Sequence, residues 1–334
     1  MARVDPDDDS IRRLSAEIER RRRAGGEPDP AAPDRPGRRA LVLAGGGAAG
    51  NAWELGLIAG LHDAGVDLTE ADVIIGTSAG STVAAQVTSG TSPADLYAPI
   101  LAEVPASPPA TGREGLRHSA SRGVSGQSYL EWSNAVIASA ADAPDMRRKM
   151  GAAALQADSS QGSGAARWRD IVAARLPSHQ WPDQHHLVVV AVDARTGEPV
   201  VFDRHSGVDL VDAVAASTSA MTPYRIGDGL YINGGYRRSE NADLATGYER
   251  VLVLSPFSGR SRMPLEWRMD LAAQVEELRG SGSRVETVFP GAGAGEVFDA
   301  NALDPSTRRQ AAVGGHEQGR ALAATLAEFW GRPA

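Results

Sequence analysis

Residues 41–61 read LVLAGGGAAGNAWELGLIAGL, an apolar run followed by a glycine loop and a helical pattern. Residues 40–43 predict a buried strand, the glycines after them predict a tight loop, and the residues from Asn51 have helical spacing with a stop at Gly65. Residues 71–90, ADVIIGTSAGSTVAAQVTSG, repeat the order of strand, sharp turn and helix. Two such units in succession predict an α/β fold with a mostly parallel central sheet and helices on its faces.

The sequence outside these units predicts a leader, one domain and an insert. Residues 1–38 are polar and end in a segment rich in Pro and Gly, which indicates a linker, so the folded domain is expected to span residues 39–334. Residues 91–185 are rich in Ala, Ser, Gly and Pro and have weak strand signals. We expect this segment to form a mostly helical insert over the sheet.

Composition excludes several classes of protein. A net charge of −8 argues against a nucleic-acid partner, because phosphate binding needs a concentrated excess of Lys and Arg. The absence of cysteine excludes disulfides, zinc-thiolate sites and a Cys nucleophile. No signal-peptide pattern and no run of about 18 apolar residues occurs, so a cytoplasmic location is expected and any membrane contact would be peripheral.

The clearest chemical motif is GTSAG, which matches G-x-S-x-G. A Ser between a strand and a helix sits on a cramped turn, where Gly76 and Gly80 would allow close approach and would leave the Ser78 hydroxyl exposed near a helix N-terminus. The alternative is that Ser78 is an ordinary N-cap.

The glycine run AGGGAAG has three possible roles. It contains G-x-G-x-x-G, which is typical of dinucleotide sites, but the nearby acids Glu70 and Asp72 precede the second strand and so cannot follow its end to bind a ribose. The glycines could also serve only close helix packing. The third possibility is an oxyanion hole beside Ser78, because consecutive glycines at a helix start expose N–H groups. Its candidate residues are Gly45, Gly46 and Gly47.

A serine nucleophile needs a base, usually a His, although a carboxylate can serve directly. His316 precedes the last helical segment, as the base does in α/β-hydrolases. In that fold, however, the oxyanion loop and the nucleophile do not come from the first two adjacent strands. We therefore expect His316 to be a surface or helix-start residue.

Three blocks in the right order resemble the patatin-like phospholipases. Residues 41–61 resemble the glycine-rich oxyanion block of that family, and residues 74–81, IIGTSAGS, resemble its nucleophile block. Residues 213–235, AVAASTSAMTPYRIGDGLYINGG, resemble the stretch that leads into its catalytic Asp-Gly-Gly. The similarity covers about residues 39–100 and 185–258.

The resemblance implies a three-layer α/β/α fold and an esterase or phospholipase acting in lipid degradation. It implies an acyl-Ser78 intermediate, a Ser/Asp dyad, and no metal or organic cofactor. The position of the catalytic Asp is occupied here by Asn233, followed by Gly234 and Gly235. Ala49 stands where many members carry Lys or Arg, which weakens any inference about anionic head groups.

Asn233 is open to several interpretations. Asn-Gly within LYINGGY is typical of a hairpin turn. At the position of the catalytic Asp, the neutral amide of Asn233 cannot accept the serine proton, so the dyad should be severely impaired. Three accounts follow: an introduced Asp-to-Asn change in an intact enzyme, a natural pseudoenzyme, or rescue by Asp228 five residues upstream.

We predict a serine acyl hydrolase that acts on an acyl-ester or lipid substrate and is impaired by Asn233. The alternatives are a non-catalytic protein that binds a ligand or partner, and an acyltransferase or tailoring hydrolase of a small metabolite. Large side chains in the insert either cover an acyl pocket or simply pack in the core; these are Tyr129, Trp132, Met146, Met150 and Trp168. The sequence leaves the oligomeric state open.

Overall fold

A computed structural model describes residues 38–103, 126–158, 163–292, 294–298 and 300–331. The predicted leader lies outside the described residues except for Arg38. Eight strands of the described chain form one sheet. They are β1 (Arg39–Leu43), β2 (Val73–Thr77), β3 (His186–Asp193), β4 (Pro199–Phe202), β5 (Tyr224–Ile226), β6 (Gly229–Asn233), β7 (Arg250–Leu254) and β8 (Arg284–Val288).

Nine α-helices of the described chain flank the sheet. Short 3₁₀ helices connect several elements, among them Gly234–Tyr236 and Ala300–Leu303. The α-helices are α1 (Gly47–Asp63), α2 (Ala79–Val87), α3 (Pro93–Ala102), α4 (Gly126–Ala138), α5 (Ala143–Ala157), α6 (Ser163–Ala173), α7 (Leu210–Thr218), α8 (Leu271–Gly280) and α9 (Arg308–Trp330).

The sheet is mostly parallel, which confirms the predicted fold class. Strand β1 pairs in parallel with β2 and β7, β2 pairs in parallel with β3, and β7 with β8. The antiparallel pairs are β3 with β4, β3 with β6, and β5 with β6. Both predicted strand–turn–helix units are present, as β1–α1 and β2–α2.

The register of β3 brings the ends of β2 and β6 together. Strand β4 pairs with residues 189–192 of β3, and so occupies one edge of that strand. Strand β2 pairs with residues 186–190 and β6 with residues 191–193. Both ranges overlap the residues of β3 that pair with β4. Strands β2 and β6 must therefore both pair with the opposite edge of β3, where they lie end to end. Thr77 and Asn233 then meet at neighbouring residues of β3, Val190 and Ala191.

Both faces of the sheet are buried, as expected for strands that read as continuous apolar runs. Alternate residues of each central strand face opposite sides. Leu41 and Leu43 of β1 lie in the larger core with Trp53 of α1. Ala40 and Val42 lie in a second core, which α8 covers with Leu278. These two cores separate the three layers of the fold.

The segment predicted as a helical insert contains α3, α4, α5 and α6 in its described part. Two of these helices begin with an N-cap and have Pro at the first or second helical position. The Ser92 hydroxyl accepts a hydrogen bond from the backbone of Asp95, and the Asp142 carboxylate accepts one from Asp145. No helix in the described parts of the chain has the length and apolar character needed to cross a membrane.

Candidate active site

Ser78 occupies a strained turn between β2 and α2. Its backbone has φ 53° and ψ −123°, a conformation that a non-glycine residue adopts rarely. The flanking glycines make the turn possible by packing. A Cβ at Gly76 would lie 2.5 Å from the Ser81 Cα, and a Cβ at Gly80 would lie 2.1 Å from the Leu43 carbonyl oxygen. The geometry matches the turn predicted from the G-x-S-x-G motif.

Hydrogen bonds hold the backbone of Ser78 on both sides. The Ser78 N–H donates to Ser217 Oγ at 2.9 Å, and Ser81 Oγ donates to the Ser78 carbonyl at 2.6 Å. Ser217 is fully buried on α7. Ser217 lies within the third block of the family resemblance, but no local sequence signal marks it as a site residue.

The glycine loop lies directly beside Ser78. A Cβ added to Gly45 would be 3.2 Å from the Ser78 Cβ and 3.7 Å from Oγ. Helix α1 starts two residues later at Gly47, and its N-cap, Gly46, supplies no side-chain hydrogen bond. The first N–H groups of a helix have no partner within the helix, and they favour negative charge. An anion beside Ser78 would therefore lie close to this helix start.

The dinucleotide interpretation does not fit this loop. The Cβ sides of Gly46 and Gly47 are packed against protein, since a Cβ at Gly46 would lie 2.6 Å from the Pro256 Cβ and one at Gly47 would lie 2.6 Å from the Ala302 carbonyl oxygen. The carboxylate of Asp72 accepts a hydrogen bond from the backbone N–H of Arg39 at the start of β1. That position is at the opposite end of the strands from the glycine loop.

Asn233 ends β6 with its side chain against Ser78. Asn233 Nδ2 donates to Ser78 Oγ at 2.9 Å, and Asn233 Oδ1 accepts from the Gly235 N–H at 2.9 Å. The Gly235 N–H fixes the orientation of the amide, because only the oxygen can accept that hydrogen bond. Asn233 therefore donates a hydrogen bond to Ser78 Oγ at the position where a base would accept the serine proton.

The hairpin interpretation of Asn-Gly is wrong. Asn233 has φ −49°, and neither Gly234 nor Gly235 is among the residues with positive φ. The strand runs into the 3₁₀ helix Gly234–Tyr236, with Asn233 as its N-cap. Gly234 is required by close approach, because a Cβ there would lie 2.2 Å from the Val190 carbonyl oxygen.

The other candidate bases lie elsewhere. Asp228 is exposed in the turn before β6. The five residues of β6 separate it from Asn233 by about 16 Å of extended chain, so its carboxylate is at the wrong end of the strand to replace Asn233. His316 lies within α9, where Nε2 is 2.8 Å from Asp63 Oδ2 and the ring stacks on Tyr97.

The large side chains of the insert lie in or against the cores. Met146 and Met150 are fully buried in a third core beneath α5. Trp168 packs against the larger core and donates to the Ala215 carbonyl at 3.2 Å. Tyr129 and Tyr236 share a hydroxyl–hydroxyl hydrogen bond of 2.9 Å, which joins α4 to the 3₁₀ helix after Asn233. Trp132 packs beside Tyr129.

Glu240 is a buried carboxyl behind the site. Ser255 Oγ donates to its Oε1 at 2.9 Å, and Ser239 Oγ donates to its Oε2. Its backbone carbonyl accepts a hydrogen bond from Thr77 Oγ1. Burial, aided by the charge of Asp270, raises the pKa of Glu240 from 4.5 to about 7, although its hydrogen bonds oppose this shift. Among the described residues, no group of His, Asp or Glu side chains could hold a metal ion.

The raised pKa of Glu240 predicts a pH-dependent effect of Glu240→Gln on stability. The folded state favours the protonated carboxyl. The contribution of Glu240 to the free energy of unfolding is therefore fully present below pH 4.5 and is lost as pH rises to about 7. Above pH 7 the ionised group should cost about 3 kcal/mol relative to the neutral one. Urea unfolding at pH 5 and pH 8 should show the variant gaining stability relative to the parent at pH 8. An equal difference at both pH values would contradict the assigned burial.

No curated protein matches the chain, but two solved structures align with most of it. The crystal structure of VipD from Legionella pneumophila aligns with 14% identity and a TM-score of 0.40, over 87% of this chain and 67% of VipD. The crystal structure of the type III effector protein ExoU aligns with 19% identity and a TM-score of 0.31, over 85% of this chain and 54% of ExoU.

A sequence model of the patatin-like phospholipases matches residues 41–246, which is more than half of the 334 residues. The matched region contains the glycine loop, the Ser78 turn and Asn233. The resemblance noted from the three sequence blocks is thereby confirmed. The chain belongs to the patatin-like phospholipase family.

Proposed function

We propose that the chain is a serine acyl hydrolase of lipid esters whose catalytic dyad is impaired by an amide at position 233. Family membership supports lipid-ester hydrolysis in general. The observation that carries the finer proposal is the contact of 2.9 Å between Ser78 Oγ and Asn233 Nδ2, at a serine held in a strained strand-to-helix turn. Strain of this kind clusters at functional sites.

A carboxylate at position 233 would complete the chemistry. Ser78 Oγ would attack the ester carbonyl carbon while its proton passed to the carboxylate, and the oxyanion would lie against the amides around Gly46 and Gly47. The alcohol would leave with that proton, and the acyl group would remain on Ser78. Water would then attack the acyl carbon and lose a proton to the same carboxylate, which would return it to Ser78 Oγ as the acyl–oxygen bond breaks and the acid leaves. No cofactor enters this scheme.

Asn233 changes the first of these steps. Its Nδ2 donates to Ser78 Oγ, so the serine proton has no acceptor at this position. The same contact favours the second candidate function, a protein that binds an acyl ligand or a partner without chemistry. An acyltransferase or a tailoring hydrolase of a small metabolite would use the same acyl-Ser78 step with a different acceptor.

A hydrolysis assay separates these functions. The Asn233→Asp variant would be assayed against p-nitrophenyl esters of increasing acyl length and against phosphatidylcholine vesicles, with the Asn233→Asp/Ser78→Ala double variant as control. The hydrolase proposal predicts product from the first protein and none above background from the second. Equal product from both proteins, or none from either, would refute it. Product that forms only when an alcohol acceptor is added would identify an acyltransferase.

A further inference from the structure

Asn241 lies between the two strands that supply the candidate dyad. Its Nδ2 donates to Thr77 Oγ1 at 3.0 Å and to the Gly234 carbonyl at 3.1 Å. Thr77 immediately precedes Ser78, and Gly234 immediately follows Asn233. One fully buried amide group thus bridges the residues next to both members of the pair.

The bridge spans a junction that the sheet itself does not close. Strands β2 and β6 are both paired to β3, but among the described residues no ladder pairs β2 with β6 directly. The separation of Ser78 and Asn233 therefore depends on two strands that lie end to end on a common neighbour. A side-chain hydrogen bond across that junction would fix their relative position.

The side chain of Asn241 is itself held in place. Its backbone is left-handed, with φ 59° and ψ 31°, which Asn tolerates better than most residues. Its Oδ1 accepts a hydrogen bond from Arg237 Nη1 at 2.8 Å. The Arg237 guanidinium is paired through both of its terminal nitrogens with Asp243, and both residues are buried. Because Oδ1 is occupied in this way, Nδ2 must face Thr77 and Gly234.

We propose that Asn241 is a positioning residue that sets the distance between Ser78 Oγ and the side chain at position 233. This inference rests on the proposed function for its kinetic consequence, but not for its structural one. Asn241 acts through Thr77 and Gly234 and does not touch the reacting atoms. A displacement of about 1 Å at a reacting group can cost about a hundredfold in rate.

The kinetic test uses the Asn233→Asp variant as parent. Asn241→Gly removes the amide while keeping the left-handed backbone accessible, and Thr77→Val removes the hydroxyl acceptor while keeping the shape of the side chain. Each should lower kcat at least about tenfold and leave KM within about twofold, because substrate binding is not the property that changes. The double variant should lose little more than either single variant. The proposal would be overturned if the fold loss of kcat in the double variant equalled the product of the two single losses. It would also be overturned if the losses of kcat only matched the loss of folded protein.

A structural readout keeps this test separate from the proposed function. Crystal structures of the chain with Asn233 intact, with and without Asn241→Gly, would give the separation of Ser78 Oγ and Asn233 Nδ2. We expect it to exceed about 3.5 Å in the variant, beyond hydrogen-bond distance. A separation that stays at 2.9 Å would overturn the positioning role even if the Asn233→Asp variant proves inactive. If Asn241→Gly does not fold, the crystal structure of Thr77→Val should show the same increase in the separation of Ser78 Oγ and Asn233 Nδ2.

Discussion

Asn233→Asp is expected to raise ester hydrolysis by about 10²–10⁴-fold, the usual contribution of a positioned general base. The exchange replaces one amide nitrogen by an oxygen at nearly constant size. The Gly235 N–H would still bind one oxygen, and the second would lie where Nδ2 now lies, 2.9 Å from Ser78 Oγ. The donor to the serine thereby becomes an acceptor for its proton.

The gain should appear in kcat more than in KM, because the new interaction concerns proton transfer rather than substrate binding. Activity should also rise with pH as the new carboxyl group ionises. Asn233→Ala is the matched control, since it removes the donor to Ser78 without supplying a base, and it should stay at the level of the parent. An equal gain from Asn233→Ala would show that loss of the amide, and not gain of a base, activates the serine.

Gly80→Ala is expected to destabilise the fold by about 3 kcal/mol or more, at the upper end of overpacking effects. The added Cβ would lie 2.1 Å from the Leu43 carbonyl oxygen and 2.6 Å from that of Ala44. Both are backbone atoms at the end of β1, so neither can move without shifting the glycine loop. The change should therefore lower stability and serine reactivity together.

Gly280→Ala provides the control for this second change. Gly280 is also helical, at the end of α8, but a Cβ there would meet nothing within 4 Å. That substitution should be neutral or stabilising by about 0.5–1 kcal/mol, since Ala loses less backbone entropy than Gly. Urea unfolding of both variants gives the comparison. Similar stabilities would contradict the close approach of α2 to β1.

The sequence predicted the parts of the fold that depend on local pattern. Each strand–turn–helix unit combines a short apolar run, a glycine turn and helical spacing, and both units formed where that pattern placed them. The Ser78 turn was predictable for the same reason, because G-x-S-x-G encodes a steric requirement within five residues. The parallel sheet then followed from the succession of units.

The rest depends on contacts between distant residues. Asn-Gly favours a hairpin locally, but β6 is instead held antiparallel to β3, and a 3₁₀ helix follows it. Ser217 reaches Ser78 across 139 residues, and Asn241 reaches Thr77 across 164. Neither residue carries a local signal, since Ser and Asn are common at helix ends and turns. Their roles follow only from the register of the strands.

Mapping of a covalent serine probe would show whether Ser78 is the nucleophile. The Asn233→Asp variant would be treated with a fluorophosphonate, digested, and analysed by mass spectrometry alongside the Asn233→Asp/Ser78→Ala variant. We expect a single modified peptide that carries the probe on Ser78, and no modification in the double variant. A probe on another serine, or the absence of labelling in a folded Asn233→Asp protein, would contradict this expectation.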